Sequence, residues 1–325
     1  MLRTLLVFFV IALAGLWACA AIWIDGPDEP VFAGAVALSF ALGSIATFVW
    51  ARGFGKACTV YTLMVASALA WWLSIEPSND RNWLPEVARL PRVEIDGDQA
   101  TVFNVRNFKY RSENSFTERW ETRTYDLSDV KGIDFFLSYW GSPKIAHTIM
   151  SWDFGDGKPL AISIETRKEV GEDYSAVLGF FRQFEIYYTV ADERDVIGVR
   201  TNIRGERVRR YRLRTPPDVA RAILIDYFEE INRLADEPRW YNAATHNCTT
   251  TIRHHVQHVA PGSPFNWRFL VNGHLDELGY MRGTIESDLP FEELRACADI
   301  TERAKAAGDA ENFSARIRAS CTPAT

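Results

Sequence analysis

The sequence predicts an α+β protein in which three apolar helices precede a mostly antiparallel sheet with helices packed on it. Two patterns predict this. Residues 1–75 carry three basic and three acidic groups, whereas the rest of the chain is densely charged. Beyond residue 75, strand-like runs continue to about residue 214, and a four-residue apolar period then takes over. The 325 residues are 47% apolar and 24% charged, which excludes a disordered chain, a collagen and a disulfide-rich miniprotein. A net charge of −6 speaks against a nucleic-acid partner. The mean hydropathy of −0.12 resembles that of a soluble protein only because a charged body offsets an apolar head.

Leu5–Ile24, Val31–Ala51 and Ala57–Ile75 contain no charge and run 20, 21 and 19 residues. At about 1.5 Å per helical residue, each covers a hydrocarbon core of roughly 30 Å. A helix is the open-chain solution there, because the backbone finds no water to bond. The Asp25–Pro30 connection is acidic and the Arg52–Lys56 connection is basic. Short basic loops stay in the cytoplasm. The N-terminus is therefore expected in the cytoplasm of a bacterium, with everything after Ile75 across the inner membrane in the periplasm. Trp23, Trp50, Trp71 and Trp72 lie near the span ends, as interfacial aromatics do. A cleaved leader ending near Leu16–Cys19 is the rival reading, but Trp17 fits such a site badly and two spans follow.

The domains expected are an anchor over 1–75, a Pro-marked linker over 76–91, a β-rich domain over 92–283 and a helical extension over 284–325. Val93–Ile95 and Ala100–Val105 flank Asp96-Gly97-Asp98, a hairpin signal. A β-rich run through Tyr125, a strand over Val130–Trp140 and a pair over Ala146–Phe154 and Pro159–Arg167 follow. Strands are next expected at Phe184–Val190 and Arg207–Leu213. Thr215-Pro216-Pro217 reads as a helix start, with Thr as cap and Pro at the first position. That helix carries Val219, Ile223, Tyr227 and Ile231 on one face and ends near Pro238. Another helix spans about Asn247–Val259, and a last amphipathic one lies near Pro290–Ala307.

Among five cysteines, Cys19 and Cys58 fall in spans, and Cys297 and Cys321 could pair in an oxidising compartment. Cys248 is left over. It sits at an expected helix start, with Thr245 or Asn247 as cap, where unpaired N–H groups favour a thiolate. Such a nucleophile needs a base and the base needs an orienter. His147 lies on a strand beside Ile145 and Ile149, and Glu165 lies in an apolar run on the next strand. A three-residue loop at Gly155–Gly157 would set His147 opposite Glu165 on one face; a two-residue loop would set them on opposite faces.

Asp153-Phe154-Gly155-Asp156-Gly157, Leu160–Glu165 and the segment Tyr241-Asn242…Asn247-Cys248-Thr249 together resemble the DUF4105 family. That is the family of the N-terminal periplasmic domain of the Bacteroides-type lipoprotein N-acyltransferase, similar to circularly permuted papain-like (NlpC/P60-type) thiol enzymes. The similarity covers about Arg92–Gly283. It implies a papain-like fold, Cys248 as nucleophile and His147 as base. Glu165 as orienter comes from the strand pairing instead. Tyr241, Asn242 and Asn247 match the motif and are expected to support the helix start or an oxyanion site. One departure stands out: in that acyltransferase the thiol domain precedes the spans, and here three spans come first.

The expected function is cysteine-dependent acyl transfer or hydrolysis through a thioester, with no cofactor and no metal. The bilayer is one partner, and lipoprotein, phospholipid or peptidoglycan-peptide substrates are the others considered. Two alternatives stand beside it. One is a non-catalytic envelope-binding module. The other is a metal-dependent hydrolase using the cluster His254, His255 and His258, which contains an i,i+4 pair, with His246 one loop away, although a zincin-type Glu is missing. The arginines at 204, 207, 209, 210, 212 and 214 suggest contact with anionic headgroups or a solvated edge strand.

Overall fold

The computed structural model describes residues 2–319 other than 263 and 270, with side chains described from Leu5. The chain divides into two compact units. One comprises the chain through Ser78 together with Asp173–Glu185 and Trp240–Ala243; the other comprises Asn79–Glu172, Ile186–Arg239 and the chain from Ala244.

In the first unit, α1 (Leu2–Ile24), α2 (Pro30–Trp50) and α3 (Phe54–Leu73) are each long and apolar enough to cross a membrane. Pro30 opens α2 at a position that lacks a helical N–H partner anyway. Gly53 takes φ 106° before α3, a left-handed turn that a side chain would strain. The third helix starts at Phe54, earlier than the uncharged run, so Lys56 belongs to its first turn. Ala18, Ile22 and Ala68 are buried with Trp17, Ala37 and Phe40 against them, and the three alanines let the helices approach closely. Tyr61 Oη donates to the Ile11 carbonyl at 2.6 Å.

The second unit is built on β1 (Arg92–Asp96), β2 (Gln99–Arg106), β5 (Trp120–Asp126), β6 (Gly132–Tyr139), β7 (Ala146–Asp153), β8 (Leu160–Arg167), β9 (Glu185–Ala191) and β10 (Arg207–Arg212). Their order is β1-β2-β9-β8-β7-β6-β10, with β5 also on β2. A small hairpin, β3 (Lys109–Ser112) with β4 (Ser115–Thr117), lies apart from this sheet. The sheet is mixed rather than antiparallel throughout, because β9 meets β2 in parallel at Arg106–Ala191. A bulge in β2 around Asn104, at φ 59°, breaks its register with β5. Asparagine tolerates that conformation, and its side chain is held by the Leu90 carbonyl at 2.9 Å.

Helices cover both faces. α4 (Glu193–Val196), α9 (Thr301–Ala307) and α10 (Phe313–Ile317) share a core with Phe136, Ile149 and Val208. On the other face, α7 (Leu275–Met281) and α8 (Phe291–Ala298) pack on Leu137, Ala146 and Tyr211. α5 (Pro217–Asp236) covers Trp152, whose Nε1 donates to the Ala220 carbonyl and whose ring meets Tyr227 edge-on. α6 (Cys248–Val259) packs beside α5 and against β7 and β8.

Several expectations change. Thr215 is not the cap of α5: Pro216 holds that position and Pro217 is the first helical residue. The single C-terminal helix is α8 and α9, broken at Asp299, where Ile300 N bonds the Val208 carbonyl, and α10 follows. From Asn79 onward the stretch expected as linker is packed, with Trp83 and Val87 buried against Tyr187. Residues 284–319 complete the core of the sheet unit. The arginines of β10 are paired: Arg207 with Asp299, Arg209 with Asp276, Arg210 with Asp134, and Arg212 with Asp153. Cys297 is disulfide-bonded, and Cys321 lies outside the described residues.

Candidate thiol site

The sequence Asn247-Cys248-Thr249-Thr250 starts α6 with a capping box. Asn247 Oδ1 accepts from Thr250 N at 3.0 Å, and Thr250 Oγ1 accepts from Asn247 N at 3.0 Å. Cys248 is thereby the first helical residue, a half-buried free thiol at the positive end of the helix. Asn247, rather than Thr245, is the cap; Thr245 Oγ1 instead bonds His246 Nδ1 at 2.9 Å.

β7 supplies the imidazole. The last ladder pair of the β7–β8 hairpin is Trp152–Leu160, so the connection is longer than the three residues expected, yet it remains odd. Gly155 and Gly157 turn it at φ 81° and 75°, and Asp153 and Asp156 each accept a main-chain N–H two residues on. The odd count preserves the side-chain parity. Ile149 pairs with Ser163, and the ladder stops there. Beyond it, His147 and Glu165 fall on the same face, with Nε2 and Oε1 3.1 Å apart.

Ser163 lies between them. Its hydroxyl donates to Glu165 Oε1 at 2.7 Å, and His147 Nε2 lies 2.6 Å from Ser163 Oγ. A hydroxyl has one hydrogen, already given to the carboxylate, so the imidazole Nε2–H must be the donor to Ser163. In the neutral ring this leaves Nδ1 as the basic nitrogen. Glu165 is held in turn by Arg200 Nη2 at 2.8 Å, and Arg200 Nη1 reaches Glu206 at 3.3 Å. Glu206 also accepts from the Ser138 hydroxyl, on the strand residue opposite His147.

The thiol and the ring act on each other. Burial opposes protonation of His147, but the Glu165 carboxylate and the Cys248 sulfur override it and raise the group to about 9. Burial likewise pushes the Cys248 thiol up, but the His147 charge and hydrogen bond, with hydrogen bonds from the Thr148 side chain and main chain, bring it down to about 6. The end of the ladder explains the last contribution, since Thr148 has no partner across β8. Glu165 is held well below the carboxylate range: burial works against this, and His147 and Arg200 outweigh it. Between pH about 6 and about 9 the resting site is a thiolate beside an imidazolium.

Asn272 fixes the helix start against the His strand. Its Oδ1 accepts from Ala146 N at 2.8 Å, and its Nδ2 donates to Thr249 Oγ1 at 2.9 Å. It thus joins the residue before His147 to the residue after Cys248. Ser163, Arg200, Thr148 and Asn272 escape the sequence reading. Asn272 sits in a short turn without periodicity, and the others acquire a role only through strand pairing; for Ser163, alternation with Glu165 on one strand was the available signal.

Residues 116–273 match the Lnb N-terminal periplasmic domain. The match covers just under half of the chain and includes His147, Ser163, Glu165, Arg200, Cys248 and Asn272. It supports an Lnb-type periplasmic domain, here in a protein with three apolar helices that associate it with a membrane. No curated protein and no solved structure matches the chain.

The remaining motif residues lie elsewhere. Tyr241 and Asn242 of the Lnb-type segment belong to the unit containing the apolar helices, where Tyr241 N bonds the Phe184 carbonyl and Asn242 Nδ2 reaches the Phe180 carbonyl at 3.5 Å. Of the histidines on α6, His255 is stacked on Tyr227 and bonded to Asp226 and Tyr188, and His258 also turns to Asp226. Among the described residues no group of three or more His, Cys, Asp or Glu side chains is arranged to hold a metal.

Proposed function

We propose that the sheet unit is a cysteine-dependent acyltransferase or hydrolase working through a thioester at the envelope face of the membrane. The observation that carries this is the meeting of a thiol at a helix start with an imidazole whose other nitrogen is anchored to a carboxylate. That is the nucleophile, base and orienter arrangement, here in the chain order His147, Glu165, Cys248 of a permuted papain-like enzyme.

In the proposed reaction, the Cys248 thiolate attacks an ester or amide carbonyl carbon. Main-chain N–H groups of the first turn of α6, which lack helical acceptors, stabilise the developing oxyanion. The carbon–oxygen or carbon–nitrogen bond then breaks, and His147 Nδ1–H delivers its proton to the departing group. An amine or a water attacks the thioester next, losing its proton to Nδ1, and the sulfur leaves as thiolate. Ser163 and Glu165 keep Nε2 protonated throughout, so Nδ1 alone cycles. Tethering by apolar helices favours acyl groups presented at a membrane, those of lipids or lipoproteins, over free peptidoglycan peptides.

The test is trapping. The full-length protein, incubated with an activated acyl ester, should gain one acyl mass on the Cys248 peptide. Cys248→Ala should gain none, and His147→Ala should acylate at least 100-fold more slowly, within the usual weight of a general base. Acylation of Cys248→Ala at the wild-type rate would overturn the assignment.

A further inference from the structure

The unit containing the apolar helices carries an open groove of about 560 Å³, lined by Ile22, Val36, Phe40, Met64, Ala68 and Trp71 among others. Its walls are almost wholly apolar, and apart from Gly26 and Pro27 of the connection after α1 they belong to the three membrane-length helices. Such a volume lies in the range of small-ligand sites. A groove between membrane helices is filled from the bilayer.

A polar cluster stands one turn beyond it. Asp25 lies just past the end of α1, next to the groove residue Gly26, and Trp72 follows the groove residue Ala68 by four on α3. Asp25 accepts from Trp72 Nε1 at 2.6 Å, Gln183 Nε2 at 2.8 Å and the main-chain N–H of Arg182 at 3.1 Å. Its oxygens are therefore committed to other donors than the Arg182 guanidinium. That guanidinium lies over Trp72, 4.4 Å from the ring centre, and within 5.8 Å of Trp240. Nη1 reaches the Ile75 carbonyl at 3.3 Å beyond the end of α3, and Trp240 Nε1 shares that acceptor at 3.1 Å. Capping of a helix end accounts for this one nitrogen. Nε is buried with no hydrogen-bond partner, and Asp25, the carboxylate whose charge it feels, makes no hydrogen bond to the guanidinium among the described residues. A cation wedged between tryptophans at the end of an apolar groove suits a ligand with an anionic head and a hydrocarbon tail.

We infer that this unit holds a binding site for one membrane glycerophospholipid, its acyl chain in the groove and its phosphodiester hydrogen-bonded by Arg182. The site shares no residue with the thiol site and stands whether or not Cys248 is a nucleophile.

The experiment is native mass spectrometry of the full-length protein released from detergent micelles. The probes are dioleoyl phosphatidylglycerol, dioleoylglycerol and glycerol 3-phosphate at equal concentration. Wild type should retain one phosphatidylglycerol and hold each of the other two at least tenfold more weakly, since each lacks half of the ligand. Arg182→Gln should lower phosphatidylglycerol retention about tenfold, and Arg182→Lys should restore part of it. Val36→Trp, which fills the groove and leaves the cation, should lower retention by a similar factor. Circular dichroism confirms that each variant is folded; should Arg182→Gln not fold, Arg182→Lys and Val36→Trp carry the test. Wild-type retention in folded Val36→Trp, or in folded Arg182→Gln, overturns the site. So does equal retention of dioleoylglycerol, which would reduce it to an apolar surface wetted by any lipid.

Discussion

Cys248 and His147 shift in opposite directions because each stabilises the charged form of the other, and that coupling sets a pH window. Below about 6 the sulfur is protonated and unreactive; above about 9 the ring no longer holds a proton for the leaving group. Acyl turnover should therefore follow a bell with limbs near these values. Alkylation by iodoacetamide needs only the thiolate, so its rate should climb through pH about 6 and then level. In His147→Ala the climb should move toward the ordinary thiol value of about 8.5. An unmoved climb would show that the helix end alone lowers the thiol. Ser163→Ala separates a second contribution, because it removes the nearer of the two groups that hold Nε2–H while leaving Glu165 and Cys248 in place. The expected loss is in kcat, with KM little changed. Cys248 was legible as the one thiol outside the spans and the C-terminal pair, and His147 as a polar residue on an apolar strand. Arg200, the counter-charge of Glu165, was not, because nothing in its own neighbourhood marks a cation that closes a pair across 35 positions of chain.

At the scale of elements, the site depends on where α6 begins and where the β7–β8 ladder ends. The capping box sets the first. Asn247→Ala leaves the Thr250 N–H without its acceptor and should cost about 1 kcal/mol of stability, as loss of such caps does. It should also slow thiol alkylation, since fraying the first turn withdraws the N–H groups that favour the thiolate; a variant that melts earlier but alkylates unchanged would show that His147 and Thr148 suffice. The ladder's end sets the second. Hairpin parity was open in the sequence between a three- and a two-residue turn at Gly155-Asp156-Gly157, and the odd connection found sets His147 and Glu165 on one face. The loop's true length was not legible, since two Asx turns lengthen it without changing parity. Nor was the parallel meeting of β9 with β2, because strand periodicity records which residues share a face but not which strand lies alongside. The Arg-rich strand makes the same point: its charges suggested a solvated edge or a lipid contact, and they are matched one by one by acids from β6, β7, α7 and the α8–α9 junction.

For the sheet unit as a whole, the C-terminal segment read as an extension supplies five of the twelve residues of one core. Ile300, Ala304, Phe313 and Ile317 bury against Phe136, Ile149 and Val208 on the face that carries His147. Sequence patterning marked the amphipathic stretch to Ala307 but neither Phe313 and Ile317 nor the surface that all of them cover, which lies on strands far earlier in the chain. Arg318 secures this closure. Its guanidinium bonds Asp134 at 2.6 Å and both oxygens of Glu193 at 2.6 Å, and neither acid is exposed to water. Glu193 also accepts from Ser151, on the side of β7 that carries His147. Removing the cation strands the buried Glu193 carboxylate and leaves Asp134 to Arg210 and Arg212, and breaking such a network costs about 3–5 kcal/mol. At roughly 2–4 °C per kcal/mol for a unit of this size, Arg318→Met should lower the melting temperature by on the order of 10 °C. Lys305→Ala, which removes a solvent-facing pair with Glu302 on the same segment, should change it little. If the two variants melt together, the C-terminal helices are held by apolar contact alone. If Arg318→Met melts early and its thiol loses reactivity while Lys305→Ala keeps both, the clamp maintains the sheet on which the imidazole is mounted, and the site depends on a residue 70 positions beyond Cys248.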